Sequence, residues 1–170
     1  MHKVLSRSVA LMLAACGGHD THADAPGDRA ARTEVRTDTG MGVTVGEGFV
    51  RPAVAGAAST AAYFTIMTDE ADRLTGAGAD GFAAVEIHTV TEEGGVSRMR
   101  RIDGIDVVPG RLTALRPGGE HLMMMGPDRA LEPGDTVTVT LTFESGAEAE
   151  VALPVRRPGA DADPHGGMSH

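Results

Sequence analysis

Two histidines and two methionines carry the clearest chemistry in this sequence. His88 ends the run Val85-Glu86-Ile87-His88, and Met99 sits in Gly-Gly-Val-Ser-Arg-Met-Arg. His121 and Met123 belong to Pro-Gly-Gly-Glu-His-Leu-Met-Met-Met-Gly. Ten residues separate His88 from Met99, twenty-one separate Met99 from His121, and one separates His121 from Met123. Thioether sulfur is soft and uncharged, so it favours cuprous copper over zinc, magnesium or calcium. Cuprous copper also accepts imidazole, and a His-rich site can hold the cupric ion. Blue-copper electron transfer needs a cysteine thiolate and a dinuclear purple centre needs two, whereas this chain has one cysteine, Cys16. The residue types point to carrying copper rather than to rapid electron transfer. The competing explanation is structural, with Met123, Met124 and Met125 as core filler and both histidines satisfied locally.

Such a set needs strands to position it. Residues i and i+2 of a strand share a face, so His121 and Met123 project together while Leu122 and Met124 face the other way, into a core. His88 and Met99 would complete the set from neighbouring strands or loops. From Met41 to about Val155 the pattern is β throughout. The clearest strand is 136–143, where Val137, Val139, Leu141 and Phe143 alternate with four threonines. Glu144-Ser145-Gly146-Ala147 reads as a turn, and the alternation resumes through Ala149, Val151, Leu153 and Val155. Earlier candidate strands are 42–50, 60–67, 72–77, 82–90, 96–102, 105–108, 111–115 and 120–125, most of them separated by Gly or Pro. No window holds a helical period for more than two turns. Short strands with a turn signal about every ten residues indicate an all-β antiparallel sandwich or barrel. With four Phe, one Tyr and no Trp, its core must be aliphatic, Ala and Met.

The 170 residues suit one domain, assigned to 41–156. Acidic residues outnumber basic ones 24 to 15, for a formal charge of −9. An acidic chain with few aromatics is a poor partner for nucleic acid, whose phosphates are bound by clustered Lys and Arg. A single cysteine excludes an intrachain disulfide, a Cys-based zinc site and an iron–sulfur cluster. No apolar run approaches the 20 or so residues that a membrane-spanning helix requires.

Cys16 has a different role. Residues 1–15 read as a signal peptide, with Lys3 and Arg7 in a basic n-region and Val9 to Ala15 as a short apolar stretch. The segment closes on Leu13-Ala14-Ala15-Cys16, which resembles the lipobox of bacterial lipoproteins, where the Cys is acylated and becomes the new N-terminus. Acyl chains would hold the protein on a bacterial membrane, on its extracytoplasmic (periplasmic) side, at about 0.8 kcal/mol per buried methylene. Loss of residues 1–15 would take the side-chain charge to −11. Residues 16–40 hold one large apolar residue, Val35, and read as a flexible linker. His19 and His22 within it read as solvated. Residues 157–170 read as a flexible tail that contains His165, Met168 and His170.

The spacing H-x10-M-x21-H-x-M, with Pro-Gly-Gly before the second His, resembles the PCuAC family of periplasmic copper chaperones. The likeness spans roughly residues 43–155. It includes Ala-Ala-Tyr-Phe at 61–64, Val-Glu-Ile-His at 85–88, Gly-Gly-Val-x-x-Met at 94–99, Pro-Gly-Gly-x-His-Leu-Met at 117–123 and Leu-Thr-Phe-Glu at 141–144. It departs at Pro127-Asp128, where members usually carry an apolar and a basic residue, and at Met124, where Leu is common. The resemblance implies a cupredoxin-like Greek-key β-barrel binding one cuprous ion through His88, Met99, His121 and Met123. It also implies delivery of copper to the dinuclear centre of cytochrome c oxidase, either at its copper-binding subunit or through a Sco-type thiol copper protein. Some members carry His- and Met-rich extensions. His165, Met168 and His170 are therefore either an auxiliary site, for cuprous or cupric copper, or part of a non-functional tail.

Several functional expectations follow. Acceptor thiolates could displace the Met sulfurs one at a time, Met125 could widen the docking patch, and Glu86, Glu92, Glu93 and Glu120 could attract the cation. Because a coordinating imidazole must be neutral, affinity should fall below about pH 6. A copper buffer or resistance protein, or a metal-free structural β-module, are the alternatives. No G-x-S-x-G, nucleophilic Cys, phosphate-binding Gly loop or paired-carboxylate motif marks an enzyme.

Overall fold

The computed structural model describes residues 34–37 and 42–158, and within them the chain is all β. The strands are β1 (Glu34–Thr37), β2 (Val43–Val50), β3 (Ser59–Thr68), β4 (Asp72–Ala79), β5 (Phe82–Glu93) and β6 (Val96–Arg101). They continue as β7 (Ile105–Val107), β8 (Thr113–Leu115), β9 (His121–Pro127), β10 (Thr136–Phe143) and β11 (Glu148–Pro154). Alternation in the sequence accounts for most of them. In β10, Val137, Val139, Leu141 and Phe143 are buried while Thr136 and Thr138 are exposed. The same alternation in β11 buries Ala149, Val151 and Leu153.

The strands form one sheet in the order β1-β11-β10-β4-β5-β9-β3-β2, with β6 paired to β5, β7 to β4 and β8 to β3. Each of these strand pairs is antiparallel. The sheet curls until its two ends almost meet. Val50, at the end of β2, bridges Val155 just past β11, and the Arg156 N–H donates to the Val50 carbonyl at 3.0 Å. Gly48 permits this closure. A Cβ there would lie 2.5 Å from Phe64 Cβ and 2.7 Å from Leu153 Cδ2, closer than side chains can pack. The register of β2 against β3 shifts between Val45 and Gly48, the irregularity by which a strand bends at a barrel seam.

Phe64, Ile66, Leu74, Leu122, Met124, Leu141, Phe143 and Leu153 fill the barrel, together with several valines. This removes a continuous apolar surface from water, the main force holding a sheet of this kind together. The β5–β6 hairpin turns on Gly94 and Gly95, both at positive φ, the conformation a two-residue hairpin loop demands. Every residue of β6 is exposed, so this hairpin forms an arm on the outside of the barrel. The composition of residues 16–40 reads as linker, yet Glu34–Thr37 lies antiparallel against β11 as β1. Four residues are too few for alternation to register, and their partner strand lies more than a hundred residues later.

Candidate metal centre

The turn before β9 and the register of three adjacent strands build the site. Arg116-Pro117-Gly118-Gly119 closes through a hydrogen bond from the Gly119 N–H to the Arg116 carbonyl, 3.1 Å long, with Gly118 at φ +78°. Pro at the second position and a left-handed Gly at the third are the requirements of a type II turn. Its product is the placement of the Gly119 carbonyl, which accepts the Val90 N–H of β5 at 3.2 Å. It also accepts the Nδ1–H of His121 at 3.0 Å.

β9 then pairs with β5 so that His121 stands opposite His88 and Met123 opposite Glu86. On the far edge of β5, Met99 of β6 stands opposite Val90, and Arg101 opposite His88. Directly opposed residues of antiparallel strands share a face, as do residues two apart. His88, Met99, His121 and Met123 therefore lie on one face across β6, β5 and β9, with Glu86 and Arg101 among them. The opposite face of the same strands points into the core, where Leu122 and Met124 are fully buried.

The four side chains differ in exposure. His121 is buried, Met123 and His88 are partly buried, and Met99 is 53% exposed on the hairpin arm. The imidazole centroids of His88 and His121 are 6.0 Å apart, with their planes inclined by 49°. Behind His121 stands an aromatic wall. Tyr63 lies 6.1 Å away, Phe49 lies 5.2 Å beyond it, and the Arg156 guanidinium sits over the Phe49 ring at 4.7 Å.

Each imidazole spends one nitrogen on the protein. A carbonyl only accepts, so His121 donates from Nδ1 to Gly119 and keeps the Nε2 lone pair. A carboxylate likewise accepts, so His88 donates from Nε2 to Glu86 Oε2 at 2.9 Å. His88 Nδ1 is buried with no hydrogen-bond partner. Glu86 is held from its other oxygen by Arg101, Nη1 to Oε1 at 3.2 Å. The hydrogen bond from His88, helped by the Arg101 charge, keeps the Glu86 carboxyl below its usual pKa.

A face with two imidazole lone pairs and two thioethers is a neutral, soft donor set. Among the described residues no three His, Cys, Asp or Glu side chains are grouped to hold a metal, so a site on this face would draw on its thioethers. Of the acidic residues expected to attract a cation, Glu86 touches a histidine, while Glu92 and Glu93 lie exposed at the hairpin end of β5. Sequence reasoning missed Arg101, Tyr63 and the Gly119 carbonyl. The i, i+2 spacing of Glu86 and His88 was a usable signal, whereas the others depend on which strands become neighbours. Cys16, His165, Met168 and His170 lie outside the described residues.

Residues 43–155 match the family described as "putative lipoprotein LpqE-like". A "putative lipoprotein" of Leifsonia xyli subsp. xyli (strain CTCB07) is 34% identical over 118 residues, covering 68% of this chain and 70% of the relative. An uncharacterized protein of Rickettsia prowazekii (strain Madrid E) is 26% identical over 100 residues, covering 57% of this chain and 55% of that protein, little more than half its length. Among solved structures, the copper-bound PCuAC domain from PmoF2 aligns with a TM-score of 0.56 at 23% identity, covering 68% of this chain and 93% of that one. The solution structure of the Cu(I) form of DR1885 from Deinococcus radiodurans aligns with a TM-score of 0.54 at 28% identity, covering 66% and 76%. The barrel is thus of the cupredoxin-like kind shared by these domains. This chain belongs to the LpqE-like family, which is of the PCuAC type.

Proposed function

We propose that this protein is an extracytoplasmic copper(I) chaperone, anchored to a bacterial membrane through a lipid on Cys16. It binds one cuprous ion through His88, Met99, His121 and Met123. The observation that carries this reading is the opposed pair of histidines, each with one nitrogen hydrogen-bonded to the protein and the other left over. Two thioethers on the same face complete a set suited to a soft monovalent ion. The relationship to DR1885, whose structure was solved with Cu(I), supports the same cargo.

Transfer follows from the uneven exposure of the ligands. Four neutral donors leave the bound ion with its single positive charge. His121 and Met123 stand on β9 within the barrel wall, and His88 on β5 beside them, whereas Met99 rides on the exposed hairpin. An incoming thiolate is a stronger cuprous ligand than a thioether and reaches Met99 first. Exchange then proceeds from the open side, with the histidines releasing last. The protein acts as a carrier rather than a catalyst. Its acceptor is the dinuclear copper centre of cytochrome c oxidase, reached directly or through a Sco-type thiol protein.

A cuprous titration against a competing chelator, under reducing conditions, tests the ligand set. Met99→Leu and Met123→Leu should each weaken binding by about tenfold or more, equivalent to 1.4 kcal/mol or more. Wild-type affinity in both variants would refute the set. Loss of oxidase activity in a deletion strain only when copper is scarce tests delivery, and normal activity at low copper argues against it.

A further inference from the structure

We propose that Glu86, held by Arg101, is a positioning residue that locks His88 in the tautomer protonated at Nε2, so that His88 offers copper Nδ1 while His121 offers Nε2. The two histidines are then set in opposite tautomers by two different acceptors. The inference rests on the reading of this face as a copper site and adds how its two nitrogens are chosen.

The geometry carries it. A free neutral imidazole interconverts between tautomers, and which nitrogen is left to bind a metal depends on what the other one donates to. At His121 the choice is made by the backbone, through the Gly119 carbonyl at 3.0 Å. At His88 it is made by a side chain, Glu86, whose Oε2 lies 2.9 Å from Nε2. That carboxylate is itself pinned, since Arg101 stands opposite His88 on β6 and donates to Glu86 Oε1 at 3.2 Å. The remaining His88 nitrogen is buried and has no partner, a costly state for a polar atom unless a ligand fills it. Room for Glu86 to act this way comes from the fold. β4 and β5 share one residue pair, Ala77 with Val85, and then part. The cleft of about 300 Å³ that opens there is lined by Glu86 and Arg101 together with Thr75, Gly76 and Asp103. The Glu86 carboxylate therefore has space and a cationic anchor beside the imidazole.

Nitrogen-15 spectra of the imidazoles in the copper-free protein at neutral pH read the tautomers directly. Wild type should show His88 protonated at Nε2 and bare at Nδ1, and His121 the reverse. Adding cuprous ion should shift His88 Nδ1 and His121 Nε2. Glu86→Ala should return His88 to a mixture of tautomers and weaken cuprous affinity about 10- to 100-fold. Glu86→Gln, whose amide oxygen can accept the same bond, should restore the tautomer and most of the affinity. A copper-free wild type protonated at His88 Nδ1, or a folded Glu86→Ala with an unchanged tautomer, overturns the proposal. If Glu86→Ala does not fold, the wild-type spectrum and Glu86→Gln decide it. Copper that binds by shifting His88 Nε2 overturns this inference alone, whereas copper that shifts neither histidine overturns the copper site itself.

Discussion

His88 and His121 stand directly opposite one another across the β5–β9 pair, with ring centroids 6.0 Å apart. One residue along each strand, Ile87 and Leu122 form the next opposed pair, and both are buried in the barrel. A single register therefore sets both the wall of the core and the spacing of the candidate ligands. A slip of β9 by one residue would turn His121 inward and Leu122 outward.

The two faces of β9 should separate cleanly by mutation. Met124 is fully buried behind the site, so Met124→Ala should cost about 2–5 kcal/mol in urea denaturation. Met99 is exposed, and Met99→Leu should leave stability within about 0.5 kcal/mol of wild type while weakening copper. A Met99→Leu variant that loses stability in step with copper binding would mean that its side chain serves packing.

Gly48 should tolerate no side chain. The Cβ of Gly48→Ala would press on Phe64 and Leu153 at the seam where β2 meets the end of β11. Overpacking of that kind costs about 1–3 kcal/mol. Thermal denaturation of Gly48→Ala checks this, and an unchanged midpoint would show that the seam is not tightly closed.

Asp72 should make stability depend on pH. Partial burial pushes its pKa up, but hydrogen bonds from the Ser145 hydroxyl, the Arg73 N–H and the Ser145 N–H outweigh that and hold it below the ordinary 3.8. The bonds measure 2.7, 2.7 and 3.2 Å and tie the start of β4 to the β10–β11 turn. A carboxyl whose pKa is lower folded than unfolded contributes fully above the ordinary value and loses that contribution as pH falls through the folded one. Asp72→Asn should therefore melt below wild type at pH 7, with the gap narrowing in acid. A gap of constant size would assign the effect to something other than the charge.

Much of this protein is legible in one dimension. A strand with one buried face writes its period into the sequence, so β2 to β11 fall close to where alternation and Gly/Pro punctuation put them. The same period places His121 with Met123 and sets Leu122 and Met124 behind them. Donor chemistry is also local information, since thioether and imidazole are soft or borderline wherever they stand. Strand order is not local. Nothing along the chain states that β5 lies between β6 and β9, or that β1 returns to β11 across more than a hundred residues. Only that arrangement brings Arg101 to Glu86, Glu86 to His88, and the Gly119 carbonyl to His121. The sequence by itself determined strands β2 to β11 and the kinds of donor. The tertiary structure decided which nitrogen of each histidine is left over, because that depends on the acceptor folding sets against it.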